Sequence, residues 1–220
     1  MTTKLLATVY FTLMALIMSG CADRVRYPSY YTLAVAPTQK PALNDAHQSA
    51  TVAVRRFDTP AYLRQGRIVY RETPEEVGFY DYHRWASDPG AVVTTGVIDS
   101  LRSANLFSVV EPYAGQEHPD YLLSGRLERL DEVDYNGSVQ VEVKLSAELV
   151  NVRTGASVWA GTVTETSTAS ARNMTSVVVA MGHAAQSGVE QLVANIEKQL
   201  SDTSVATGNC GTTTAEISRK

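Results

Sequence analysis

Cysteine is nearly missing from this chain: Cys21 and Cys210 are the only two in 220 residues. If one of them is chemically consumed, no intramolecular disulfide can form, even in a compartment that permits one. Histidine is scarce as well, and none of His47, His83, His118 and His183 has metal-ligand spacing to another His, Cys or carboxylate. No zinc site is suggested. Asp131, Glu132 and Asp134 lack the oxygen-rich loop of a calcium site, and they read as a solvated hairpin end. There is no G-x-S-x-G elbow, phosphate loop or dinucleotide fingerprint. A carboxylate pair for sugar hydrolysis is a spatial feature and stays open. Positive charge is short too, with 19 basic against 23 acidic side chains. Arg24 and Arg26, Arg55 and Arg56, and Arg64, Arg67 and Arg71 form only short, interrupted clusters. Binding nucleic acid rests on neutralising phosphates, so that class is disfavoured. Long apolar runs are absent: the most prominent, Leu5 to Met18, has 14 residues, against about 20 needed to cross a bilayer as a helix.

That short run is informative in its own right. Lys4 is the only charged side chain before Cys21, so a thin positive start leads into an apolar stretch and then Met18-Ser19-Gly20-Cys21. This is the layout of an export signal, and its end resembles a lipobox. Small residues at Ser19 and Gly20 suit cleavage between Gly20 and Cys21, and the Cys21 thiol would accept diacylglycerol. An ordinary secretory signal with an incidental cysteine is the alternative. Met18 stands where the lipobox pattern usually has Leu. Two or three acyl chains (palmitate is typical) anchor stably where one anchors only reversibly. By analogy with enteric-type bacteria, inner-membrane retention goes with Asp directly after the Cys. Ala22 stands there, with Asp23 one place later, so the expected location is the periplasmic face of the outer membrane. Losing Lys4 with residues 1–20 leaves 18 basic and 23 acidic side chains, a mature charge of −5.

The remaining chain divides into a lipidated tether (21–29), one domain (30–200) and a polar, Ser- and Thr-rich tail (201–220) expected to be disordered. Strands are expected at Tyr30–Val35, Thr51–Phe57, Arg67–Arg71, Phe79–Trp85 and Phe107–Val110. Asp88 as N-cap and Pro89 as first residue open a helix running to about Asn105, with Val93, Val97 and Leu101 in one stripe. Val139, Val141, Val143, Leu145, Ala147 and Leu149 alternate with Gln140, Glu142, Lys144, Ser146 and Glu148, a period of two that marks a sheet with one dry face. Asn136-Gly137 and Thr154-Gly155 supply turns, giving a three-stranded antiparallel meander over 121–166. A second helix, Met174 to Leu200, carries an apolar stripe from Val178 to Leu200. The fold class is α+β: a mainly antiparallel or mixed β-sheet with two amphipathic helices packed on one face.

Several segments, in order, are similar to the auxiliary lipoproteins of ABC-type transporters. That family includes paraquat-inducible protein C and the lipoproteins of mammalian-cell-entry (MCE) lipid transport systems. The segments are the lipobox, Tyr30-Tyr31-Thr32-Leu33, the Thr51–Phe57 strand, Tyr82-His83-Arg84-Trp85-Ala86 leading into a helix, Leu101 to Phe107 before Val109-Val110, and Thr154-Gly155 with Val158-Trp159. Each is weak alone; their order covers residues 12 to 200. The resemblance implies a non-enzymatic role in trans-envelope lipid transport, with no cofactor, no catalytic residue and no metal. The implied partners are the membrane through N-terminal acyl chains, an MCE-domain protein, ABC transporter subunits, phospholipid and further copies of the chain. Tyr82, Arg84 and Trp85 are candidates for a protein-partner surface, since aromatic and Arg side chains dominate interface energetics; Trp85 capping the core beside the first helix is the alternative. Trp159 reads as core. Two other classes stay open: a lipoprotein of lipopolysaccharide or secretion and pilus machinery, and a lipid-tethered periplasmic enzyme.

Overall fold

The computed structural model describes residues 26–36, 49–115, 118–134 and 137–208, with the side chains of 203–208 excepted. The signal segment, Gly20, Cys21, His47, Asn136 and Cys210 lie outside the described residues. Eight strands are present among them: β1 (Ser29–Tyr31), β2 (Thr51–Val54), β3 (Arg67–Arg71), β4 (Gly78–Trp85), β5 (Val109–Pro112), β6 (Tyr121–Val133), β7 (Gln140–Asn151) and β8 (Ser157–Thr168). Two α-helices join them: α1 (Pro89–Ser103) and α2 (Met174–Gly208).

The meander forms as its alternation requires. On β7, Val141, Val143, Leu145 and Leu149 are buried, while Lys144 and Glu148 are exposed. Each fully buried aliphatic side chain contributes about 1.5–3 kcal/mol, so slipping this strand by one residue would forfeit that along its length. β6 and β8 pair antiparallel with its two edges. Gly155 has φ 70° in the turn before β8, a conformation glycine adopts without steric cost. The stripe of α2 (Met181, Ala185, Val189, Leu192 and Ile196) is buried against this sheet.

The N-terminal strands are attached in a way that periodicity does not reveal. The edge of β6 opposite β7 is shared by two parallel partners. Val52↔Tyr121 to Val54↔Leu123 joins β2, and Val69↔Asp131 to Arg71↔Val133 joins β3. The sheet therefore forks into a β2–β5 arm and a β3–β4–β1 arm. Between them Asp58 bridges to Arg126, and Phe57 packs where a Cβ on Gly125 would stand 2.3 Å from its ring.

Local chemistry sets the ends of α1. The Asp88 carboxylate accepts from the Ala91 amide at 2.8 Å and from Arg56 at 2.9 Å. After the C-cap at Ala104, Asn105 takes φ 50°, one of the few non-glycine types tolerated there.

Several boundaries depart from the expected ones. The strand expected over Tyr30–Val35 ends at Tyr31, and Thr32 to Ala36 leave the sheet. A slot between the helices takes them: a Cβ on Gly96 of α1 would meet Val35 Cγ1 at 2.4 Å, and one on Gly182 of α2 would meet the Ala34 carbonyl oxygen at 3.0 Å. The strand from Thr51 stops at Val54, and the one before Val110 begins at Val109 rather than Phe107. α2 continues to Gly208, past Leu200; the Ser201 hydroxyl bonds back to the Glu197 carbonyl at 2.9 Å, and Leu200 is buried. Trp159 is only half-buried, its ring lying over Gly161. No helix among the described residues is long and apolar enough to cross a membrane.

Candidate functional site

The β3–β4–β1 arm carries the densest group of aromatic and titratable side chains. Between the pairs Val69↔Phe79 and Arg67↔Arg84, β4 advances five residues for two of β3. An odd number of extra residues reverses the in–out alternation. Tyr80 and His83, which strict alternation would send to opposite faces, therefore meet, with ring centroids 5.5 Å apart at 80°. Gly78 makes room for Tyr70, since a Cβ there would stand 2.3 Å from the ring. Tyr70 packs against Tyr80 at 4.8 Å.

These rings join a polar chain. Tyr80 donates to Glu132 Oε2 at 2.9 Å, and the Tyr31 hydroxyl shares a 3.0 Å hydrogen bond with His83 Nδ1. Burial raises the Tyr80 pKa, with Glu132 adding to the effect, so the phenol stays protonated. Burial likewise raises the Glu132 pKa, partly opposed by the Tyr80 hydrogen bond. At the mouth, Arg172 grips Asp134 with two bonds of 2.8 and 3.2 Å and the Gly137 carbonyl with a third of 2.9 Å. The result is a surface groove of about 620 Å³ lined by Arg26, Tyr70, Phe79, Tyr80, Tyr82, His83 and four carboxylates. A phenol held protonated donates hydrogen bonds but is neither nucleophile nor base near neutral pH.

Behind the groove, Asp131 is fully buried and accepts from Arg71 Nε at 2.5 Å, with Arg129 at 3.5 Å. Burial works against the Arg71 charge, and Asp131 more than offsets it, so Arg71 is held cationic; burial pushes the Asp131 carboxyl up, partly opposed by Arg71 and then Arg129. Arg129 also reaches Glu142 at 2.6 Å. The expected solvated cluster of Asp131, Glu132 and Asp134 is thus corrected: Asp131 and Glu132 are 0% and 6% exposed, and each of the three has a protein partner. Among the described residues no group of three or more His, Cys, Asp or Glu could hold a metal ion.

Of the three candidates for a partner surface, Tyr82 is exposed at the groove and Arg84 is half-buried. Trp85 is 5% exposed and belongs to the hydrophobic core, so as a surface anchor it is corrected; its ring serves packing. His183 is exposed on α2, at a shallow groove that also touches Thr32 and Ala34. The group of Tyr31, Tyr70, Tyr80, His83 and Glu132 was not legible as a unit, because its members come from four strands, β1, β3, β4 and β6.

The described residues thus form a forked mixed sheet with helices packed on it and an aromatic groove at one arm. The family model described as ABC-type transport auxiliary lipoprotein component matches residues 31–207, and the chain belongs to that family. Protein XCC0632 from Xanthomonas campestris is similar in fold, with a TM-score of 0.69 and 18% identity over 80% of this chain and 99% of that one. A second solved chain gives a TM-score of 0.56 and 16% identity over 79% of this chain and 99% of the other. A PelC dodecamer from Paraburkholderia phytofirmans gives a TM-score of 0.43 and 23% identity over 72% and 93%. Among curated proteins none matches at a significant level.

Proposed function

We propose that this auxiliary component serves an MCE-type trans-envelope lipid transport system without catalysing a reaction. Acyl chains on Cys21 hold it at the periplasmic face of the outer membrane, where it docks the MCE-domain protein and the ABC transporter subunits. The observation that carries this reading is the juxtaposition, in one chain, of the family match over 31–207 with Met18-Ser19-Gly20-Cys21 just ahead of it. A transport auxiliary needs a body that binds and a tether that places it, and those two segments supply one each.

Self-association belongs to the same reading, and the native mass of the detergent-extracted chain tests it. The deciding experiment is crosslinked affinity purification of the acylated chain from separated membranes. Recovery of MCE-domain and permease subunits from the outer-membrane fraction is expected. Recovery of only lipopolysaccharide or secretion machinery overturns the proposal.

A further inference from the structure

Three tyrosines project from the body where the chain enters it: Tyr27, Tyr30 and Tyr82 are 82%, 63% and 44% exposed. The other large hydrophobic side chains so exposed among the described residues, Val109, Val152 and Val179, are spread over β5, the turn after β7 and α2, so the tyrosines alone form a group. Tyr30 is the register partner of Arg84 across β1 and β4, which puts both on one face. Tyr82 precedes Arg84 by two residues, and the Arg26 guanidinium lies over its ring at 5.8 Å. Neither Arg26 nor Arg84 has an ion-pair partner among the described residues, and Arg84 Nε is buried without a hydrogen-bond partner. The neighbouring carboxylate of Asp81 turns to Arg67 instead, at 3.5 Å.

We infer that this face, Arg26, Tyr27, Tyr30, Tyr82 and Arg84, rests on the lipid headgroup layer. The inference rests on the acylation of Cys21 proposed above. Arg26 follows Cys21 by five residues, a chain length of at most ~18 Å, so the patch cannot leave the neighbourhood of the surface that holds the acyl chains. Phenol rings are amphipathic and settle at the headgroup level of a bilayer. Two guanidinium groups without carboxylate partners complement lipid phosphates. Glu72 and Asp81 at the adjoining groove oppose deep insertion, so the contact is interfacial. A protein partner would find the same side chains, but only a membrane is guaranteed within reach of the tether. In this pose the body is held in one orientation rather than swinging, which fixes which surfaces face the periplasm.

The test is hydroxyl-radical footprinting, read by mass spectrometry, of the full mature chain. The acylated form is placed on vesicles of phosphatidylethanolamine and phosphatidylglycerol, with no other protein, and compared with the Cys21→Ser form free in solution. Oxidation of Tyr27, Tyr30 and Tyr82 should fall roughly threefold or more on the vesicles, because rings in the interface lose most of their water contact. His183, exposed on α2, should be unaffected. Unchanged tyrosine oxidation on a vesicle-bound, acylated chain overturns the inference alone. So does protection that appears only when a membrane protein extract is added, which would assign the patch to a protein. A mature chain whose mass shows no acyl groups overturns this inference together with the anchoring proposal, and the same spectra distinguish that case.

Discussion

Replacing Arg71 by Met isolates the most expensive charge in the fold. Asp131 is fully buried, and its Oδ1 has no hydrogen-bond partner. Its charge is met by Arg71 at 2.5 Å on a side chain only 10% exposed, and by Arg129 at 3.5 Å, which Glu142 also claims at 2.6 Å. Arg71→Met keeps much of the aliphatic stem but removes the short charge-assisted hydrogen bond. Breaking a buried pair from one side costs about 3–5 kcal/mol, because the surviving charge is left uncompensated. Against a typical total stability of about 5–15 kcal/mol, that is a large share. The residual pull of Arg129 places the expected loss near ~3 kcal/mol, toward the lower end of that range. Adding Asp131→Asn to Arg71→Met should recover more than half of it, since a neutral amide is far cheaper to bury than a carboxylate. Urea unfolding of the unacylated mature chain at neutral pH, followed by circular dichroism, measures both values. A loss under about 1 kcal/mol for Arg71→Met, typical of a solvated surface pair, would refute the reasoning. So would a double variant no more stable than the single one.

Two further outcomes follow from the same structure. Gly96→Ala gains up to about 1 kcal/mol of helix propensity, yet its Cβ would stand 2.4 Å from Val35 Cγ1. Overpacking costs about 1–3 kcal/mol, so the net change should destabilise and should speed proteolysis within Thr32–Ala36; a thermal midpoint above wild type would contradict this. Glu132 has a raised folded-state pKa, chiefly from burial, so the folded chain binds more protons than the unfolded one between the ordinary and the raised value. Its contribution is therefore fully present below the ordinary glutamate pKa and is lost as pH rises through the raised one. Relative to Glu132→Gln, wild type should gain stability on mild acidification from neutral pH; a difference that stays flat or reverses would show the carboxyl is not desolvated.

Much of the skeleton was legible along the chain because it depends on near neighbours. The alternation from Val139 to Leu149 named the dry face of β7, and burial follows it residue by residue. Asp88 and Pro89 marked the start of α1, and the Thr154-Gly155 turn placed β8. Tyr82, Arg84 and Trp85 drew attention to β4 as a partner surface, yet Trp85 turned inward, as the alternative of a core cap had it.

What sequence alone determined, then, is the set of elements, the dry faces that bring them together, and the family. Those rest on repeats, caps and turns whose physics acts within a few residues. Tertiary structure alone decided that β6 is shared by two parallel arms, that Asp131 and Glu132 before the hairpin are buried rather than wet, and that the bulged β4 brings Tyr80 and His83 together over Glu132. Each of those outcomes joins residues dozens of positions apart or depends on a shift of strand register, and no local pattern carries the position of a distant partner or the burial it imposes.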